Sequence, residues 1–64
     1  MHVYSISWAL IVNGQPGTGS SVVEFERPMR PNDLQGFLGR VHKEAQAYGS
    51  ASMPNVTSIW KFED

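Results

Sequence analysis

His42 and Glu44 come closest to a catalytic pair in this sequence, and their spacing does not suit catalysis. They lie two residues apart in a stretch with helical periodicity, so their side chains point in different directions. A histidine acts as a general base only with a positioned partner and a substrate. Ser20 and Ser21 have no base near them in the sequence, which argues against a nucleophile. We therefore expect no catalytic residue, and a protein that is not an enzyme.

Residues 14–21 have the glycine-rich composition of a phosphate-binding loop. Their sequence, GQPGTGSS, lacks the Gly-Lys-Ser/Thr ending of that motif, and a strand rather than a helix is expected to follow it. A structural metal site normally takes about four Cys or His ligands, whereas the chain has no cysteine and two histidines. We therefore expect no nucleotide, no metal and no other cofactor.

Four basic side chains form a pattern that could contact a nucleic acid. Arg27 and Arg30 flank the start of a predicted helix, and Arg40 and Lys43 lie on its polar side. Beside exposed aromatic rings they could bind a single strand by stacking and charge. The net charge of −1 argues against this use, as does the expected burial of the rings. A nucleic-acid-binding module is therefore an alternative to the leading hypothesis.

The element that must position these side chains is the apolar stretch Met1–Val12, which we predict to be the central strand of a sheet. Its bulky and small residues alternate, which is typical of a strand with one buried face. The bulky face consists of Tyr4, Ile6, Trp8, Leu10 and Val12, and the other face of Val3, Ser5, Ser7, Ala9 and Ile11.

The remaining elements follow from breakers and caps. Three glycines and a proline predict a long hairpin loop over residues 13–20, followed by a second strand, Ser21–Glu26. A helix is predicted from an N-cap at Asn32 to about Tyr48, with Gly49 ending it. A third strand is predicted over Asn55–Phe62.

The order β-β-α-β predicts an α+β fold and one domain over residues 1–64. We expect a three-stranded antiparallel sheet of order 3-1-2 with one helix packed on one face, because this order puts the most apolar strand in the middle. The alternative, with the third strand beside the second, needs a right-handed parallel crossover. Apolar residues at helical spacing should meet the bulky sheet face, which Val23, Phe25, Trp60 and Phe62 are expected to extend.

A helix of about 16 residues, roughly 24 Å long, cannot cover a strand of about 11 residues, roughly 36 Å long. We therefore expect apolar surface to remain for a partner. Two glycines on the outer side of the helix would also let another backbone approach closely. The predicted partner-binding residues are Val3, Ala9, Ile11, Val22 and Ile59 on the sheet, and Gly36, Gly39, Arg40 and Lys43 on the helix.

These features favour a small non-enzymatic protein-binding protein that acts by surface docking and self-associates as a homodimer. Accessory and inhibitor proteins of phages and mobile elements have this character, by an analogy of size and composition. A further alternative is a small enzyme or ligand-binding subunit whose site forms between subunits around His42 and Arg40. No apolar run approaches the roughly 20 residues of a membrane span. Because no basic segment precedes the apolar start, we expect a cytoplasmic protein without membrane contact.

Overall fold

The structure, a computed structural model, describes residues 2–62. It contains strands β1 (His2–Val12), β2 (Gln15–Phe25) and β3 (Asn55–Lys61), and helix α1 (Pro31–Gln46) between β2 and β3. β1 is central and pairs antiparallel with both neighbours, which gives the order β2-β1-β3. The predicted α+β fold and strand order are confirmed. Met1, where the first strand was predicted to begin, lies outside the described residues.

The hairpin between β1 and β2 is tighter than the sequence predicted. Asn13 and Gly14 have φ angles of 52° and 78°, the positive values that a two-residue primed turn requires. Val12 pairs with Gln15, and pairing continues without interruption to His2 and Phe25. The predicted long loop over residues 13–20 was therefore wrong. Glycine and proline were taken as strand breakers, but β2 lies at the edge of the sheet, where proline is tolerated.

Helix α1 begins two residues earlier than expected. Arg30 is the N-cap residue and Pro31 opens the helix, so the prediction of Asn32 as N-cap was wrong. Proline suits the first helical position because its missing N–H would have no partner there. Asp33 accepts a hydrogen bond of 3.0 Å from the Arg30 backbone N–H. The helix ends at Gln46 rather than at Tyr48.

The core is small and lies between β1 and α1. Within residues 2–62 its buried members are Tyr4, Ile6 and Phe37. The Trp8 and Phe37 rings meet edge to face with centroids 5.5 Å apart, a favourable geometry for aromatic pairs. The prediction that the bulky face of β1 packs against the helix is confirmed. Partly buried residues complete the core: Trp8, Val23, Phe25, Met29, Leu34, Leu38, Val41 and Val56.

A β-bulge in β3 reverses the predicted faces of its C-terminal half. Trp8 pairs with Val56 whereas Ser7 pairs with Ser58, so β3 carries one extra residue, Thr57, at this point. Beyond the bulge, Trp60 lies opposite Ser5. Because directly paired residues share a face, Trp60 lies on the side of the sheet away from α1. The prediction that Trp60 extends the core was therefore wrong.

The same bulge changes the face of the sheet on which two further residues lie. Phe62 donates its backbone N–H to Val3 at 2.9 Å, beside the face that Trp60 occupies, and it is not part of the core. Ile59 lies opposite Ile6 and so shares the helix side of the sheet. Both the predicted burial of Phe62 and the predicted place of Ile59 on the opposite face were wrong, for the same reason.

The segment after α1 pairs with the end of β1 that β3 does not reach. Ala51 forms a bridge with Val12, and Ser52 donates its backbone N–H to the Ile11 carbonyl at 2.9 Å. Residues 51 and 52 thus continue the pairing of β1 on the side that β3 occupies. Helix α1, the helix within residues 2–62, lacks the length and apolar character needed to cross a membrane.

Candidate docking site

We call the side of the sheet away from α1 the open face. Its exposed apolar residues are Ile11, Val22, Trp60 and Phe62, with exposed fractions of 52%, 64%, 67% and 42%. Ser5 pairs with Val22 on one side and with Trp60 on the other, so these three residues form one row across the sheet. Adjacent strands lie about 4.8 Å apart, which places Val22 and Trp60 about 10 Å from each other on either side of a small residue.

Small residues occupy the neighbouring rows of the open face. Ser7 pairs with both Ser20 and Ser58, and Ala9 pairs with Thr18 in the next row. The result is a shallow trough of small side chains beside the Trp60 row. A bulky apolar group on another molecule could enter such a trough with few steric obstacles.

The open face carries little charge. Among the residues of the described strands that pair onto this face, the charged one is Glu24, opposite Val3 at one end of the sheet. Lys61 pairs with Tyr4 on the helix side, and its Nζ lies 6.0 Å from the Tyr4 ring centroid. An apolar surface with one peripheral charge is suited to another apolar surface rather than to a polyanion.

The nine predicted partner-binding residues do not form one surface. Val3, Ala9, Ile11 and Val22 share the open face by register, whereas the four helix residues lie on α1 on the other side of the sheet. Gly36 and Gly39 are exposed, and a Cβ at either position would meet no atom within 4 Å. Arg40 and Lys43 are also exposed. The structure therefore separates the predicted set into two opposite surfaces, with Ile59 apart from both.

Sequence reasoning missed Trp60 and Phe62, the two aromatic residues of the open face. Regular alternation from Val56 onward places both in the core, and it fails at Thr57. No glycine or proline lies within β3 to signal the bulge. An excess of aromatic residues over what one short helix can cover was the available signal.

A groove runs between α1 and β2 on the helix side of the sheet, with a volume of about 410 Å³. Gly19, which lies opposite Trp8, has no side chain to fill this groove. A Cβ at Gly19 would lie 2.6 Å from a carbon of the Trp8 ring. Glycine thus permits the indole to cover the strand. Arg40, Val41 and Glu44 of α1 form the other wall.

His42 has a structural partner. Its Nε2 lies 3.0 Å from the Ala51 carbonyl oxygen, and because a carbonyl only accepts, Nε2 carries the proton. The contact ties the segment after α1 to the helix. Among residues 2–62, no group of three His, Cys, Asp or Glu side chains could hold a metal ion.

The four basic residues lie on the helix side and are spread along it. Arg27 donates an N–H from each terminal guanidinium nitrogen to the Asp33 carboxylate. This pairing lowers the pKa of Asp33 and raises the pKa of Arg27, in both cases first through the hydrogen bonds. Arg40 is ten residues beyond Arg30, a rise of about 15 Å along a helix. The basic side chains therefore do not surround the exposed rings of the open face.

Comparison of the chain with protein-family models, with curated proteins and with solved structures finds no match in any of the three.

Proposed function

We propose that this chain is a small non-enzymatic binding protein that docks its open face onto an apolar surface of another protein. The observation that carries the proposal is the row formed by Trp60, Ser5 and Val22, in which both large side chains are exposed beside a trough of small residues. Tryptophan is enriched among residues that dominate binding energy. Trp60 is accordingly the expected anchor of the interface.

The surface area of the chain supports a partner. The folded chain exposes 4624 Å², whereas a monomer of 7.1 kDa is expected to expose about 4,100 Å². Its radius of gyration is 12.4 Å, compared with about 10.7 Å for a compact domain of this length. The chain is elongated, with principal extents of 38 × 16 × 15 Å, and its single helix lies on one side of the sheet. Docking on the other side would bury apolar area that the chain itself cannot.

The proposed mode of action is steric: the bound chain occupies a surface that the partner uses elsewhere. Accessory and inhibitor proteins of phages and mobile elements offer an analogy of size and composition for this mode. No side chain of the chain needs to react for such an activity. Specificity would come from the shape of the Trp60 row and from Glu24 at the rim.

The test uses two baits that each lose one exposed aromatic ring. Trp60→Ser removes the anchor of the open face, while Tyr48→Ser removes an even more exposed ring that follows α1. Captured from the native host, the expected partner binds the wild-type and Tyr48→Ser chains and not the Trp60→Ser chain. Equal retention by all three baits would contradict the proposal, and titration of the purified partner then measures the affinity.

A second candidate is a single-stranded nucleic acid, because Trp60 in β3 and Phe62 directly after it present two exposed rings on an antiparallel sheet. Stacking of bases on such rings is sequence-tolerant and contributes about 1–3 kcal/mol per base. The basic residues lie on the helix side, which weakens this candidate. Binding of a labelled oligonucleotide that falls steeply between low and high salt, and is lost in Trp60→Ser, would favour it over a protein partner.

A further inference from the structure

The free edge of β2 is a second surface without a partner in the described chain. Backbone direction alternates along an antiparallel strand. The carbonyl oxygens of Val3 and Ile11 accept hydrogen bonds from the β3 side of the sheet, so these residues direct their backbone groups away from β2. Their partners in β2, Glu24 and Pro16, therefore direct theirs outward to solvent. By the same alternation, the outward-directed residues of β2 are Pro16, Thr18, Ser20, Val22 and Glu24.

This edge is open to strand addition, whereas the β3 edge is protected. From Gly17 to Val23, β2 has no charged residue, no proline and no register shift. β3 contains the bulge at Thr57 and the charged Lys61, two features that discourage edge pairing. An added strand is therefore expected beside β2.

We propose that the added strand is β2 of a second copy, paired antiparallel about a two-fold axis at Ser20. The two sheets then join into one sheet of six strands with both helices on the same side. In this register Ser20 faces Ser20, Val22 faces Thr18 of the second copy, and Glu24 faces Pro16 of the second copy. Like charges do not meet at any of these pairs, so the strand is complementary to itself.

Charges on α1 supply the complementarity that favours a second copy over a foreign strand. Arg40 and Glu44 are one turn apart and both line the groove beside β2. A two-fold axis perpendicular to the sheet makes the two helices antiparallel, so Arg40 of each copy faces Glu44 of the other across the joined grooves. Within residues 2–62 neither side chain has an ion-pair partner of its own. Both are therefore available for the pairing.

Strand pairing of this kind leaves the open face exposed and doubles its width. The dimer thus goes beyond the proposed function and does not depend on it. Trp60 of the two copies would lie at the two outer strands of the six-stranded sheet, because β3 is the strand farthest from the axis.

The first test is the mass of the full chain in solution across a dilution series, for the wild type and three variants. Ser20→Pro removes the outward N–H at the axis in both copies and is expected to weaken dimerisation at least about tenfold. Ser20→Ala keeps that N–H and should dimerise as the wild type does. Lys61→Pro removes an outward N–H from the other edge and should also leave the dimer intact. A monomeric wild type at all concentrations, or a dimer lost in Lys61→Pro and kept in Ser20→Pro, would overturn the proposal.

The second test reverses charges on the helices and does not disturb the strand, so it decides the matter should Ser20→Pro fail to fold. Arg40→Glu places two carboxylates at each contact, and dimerisation should weaken on the order of tenfold. Glu44→Arg should have a similar effect. The double variant carrying both changes restores opposite charges and should recover wild-type dimerisation. Equal dimerisation in all four chains would exclude the Arg40–Glu44 contact and with it the proposed two-fold arrangement.

Discussion

The carboxamide of Asn13 occupies the space in which a side chain on Gly49 would begin. Asn13 thereby holds the segment after α1: its Nδ2 donates to the Tyr48 carbonyl at 3.2 Å, and its Oδ1 accepts the Ser50 N–H at 3.0 Å. The turn residue of the hairpin is thus also the residue that directs the chain from the helix to the end of β1, on the side that β3 occupies. One side chain joins two parts of the sequence that lie more than thirty residues apart.

Gly49→Ala is expected to destabilise the protein by about 2–3 kcal/mol. The φ of Gly49 is 147°, a conformation that costs an L side chain about 1–3 kcal/mol, and the new Cβ also displaces the Asn13 carboxamide. The measurement is the urea midpoint at an unchanged denaturant slope. A midpoint equal to that of the wild type would show that the Asn13 hydrogen bonds to Tyr48 and Ser50 do not form.

Gly36→Ala and Gly39→Ala provide the matched controls and should change stability in the opposite direction. Both glycines are exposed within α1 with open space around a Cβ, so each alanine should stabilise the chain by up to about 1 kcal/mol. The predicted role of these glycines in close approach of another backbone has its own readout. Partner binding and dimerisation that survive both substitutions unchanged would contradict that role.

Deletion of Thr57 should leave Trp60 on the open face. Thr57 is the extra residue of the bulge, so without it Val56 still pairs with Trp8, Ser58 with Ser7, and Trp60 with Ser5. Acrylamide quenching of the Trp60 contribution to fluorescence, obtained as the difference from a Trp60→Phe chain, should stay as strong as in the intact chain. A clear fall in quenching would mean that Thr57 is not the residue that the bulge leaves unpaired.

Asp33 should make stability depend on pH below about 4. Its hydrogen bonds to Arg27 and Arg30 hold its pKa below the ordinary value of 3.8. Its contribution is therefore present above the unfolded-state pKa and is lost as pH falls through the lower folded-state pKa. Asp33→Asn should be less stable than the wild type at pH 7, and the difference should shrink in acid. A difference that is constant from pH 7 to pH 2 would contradict the assignment.

Alternation along β1 was sufficient to predict which of its faces packs against the helix, because β1 pairs on both sides and has a buried face. The same reasoning failed for β3 after Val56. A period of two identifies a face only as far as the first bulge, and Thr57 has no local feature that marks one. The open face was therefore predicted as a surface, but its two aromatic rings were not.

The prediction of a loop where β2 begins failed for a different reason. Pro16 and Gly19 are poor strand residues in isolation, yet here the proline lies at an edge and the Trp8 ring covers the glycine. Tertiary contacts compensate for local propensity at both positions. Sequence alone shows the propensity and not the ring that compensates for it.

The bulge at Thr57 also bears on how such a surface can persist in evolution. Because Thr57 has no partner in β1, loss of its codon would leave every other β1–β3 pair in place and both aromatic rings on the open face. A codon gained at this point of a regular strand can be accommodated as a bulge in the same way. An exposed aromatic row can therefore outlast a change in the length of the strand that carries it.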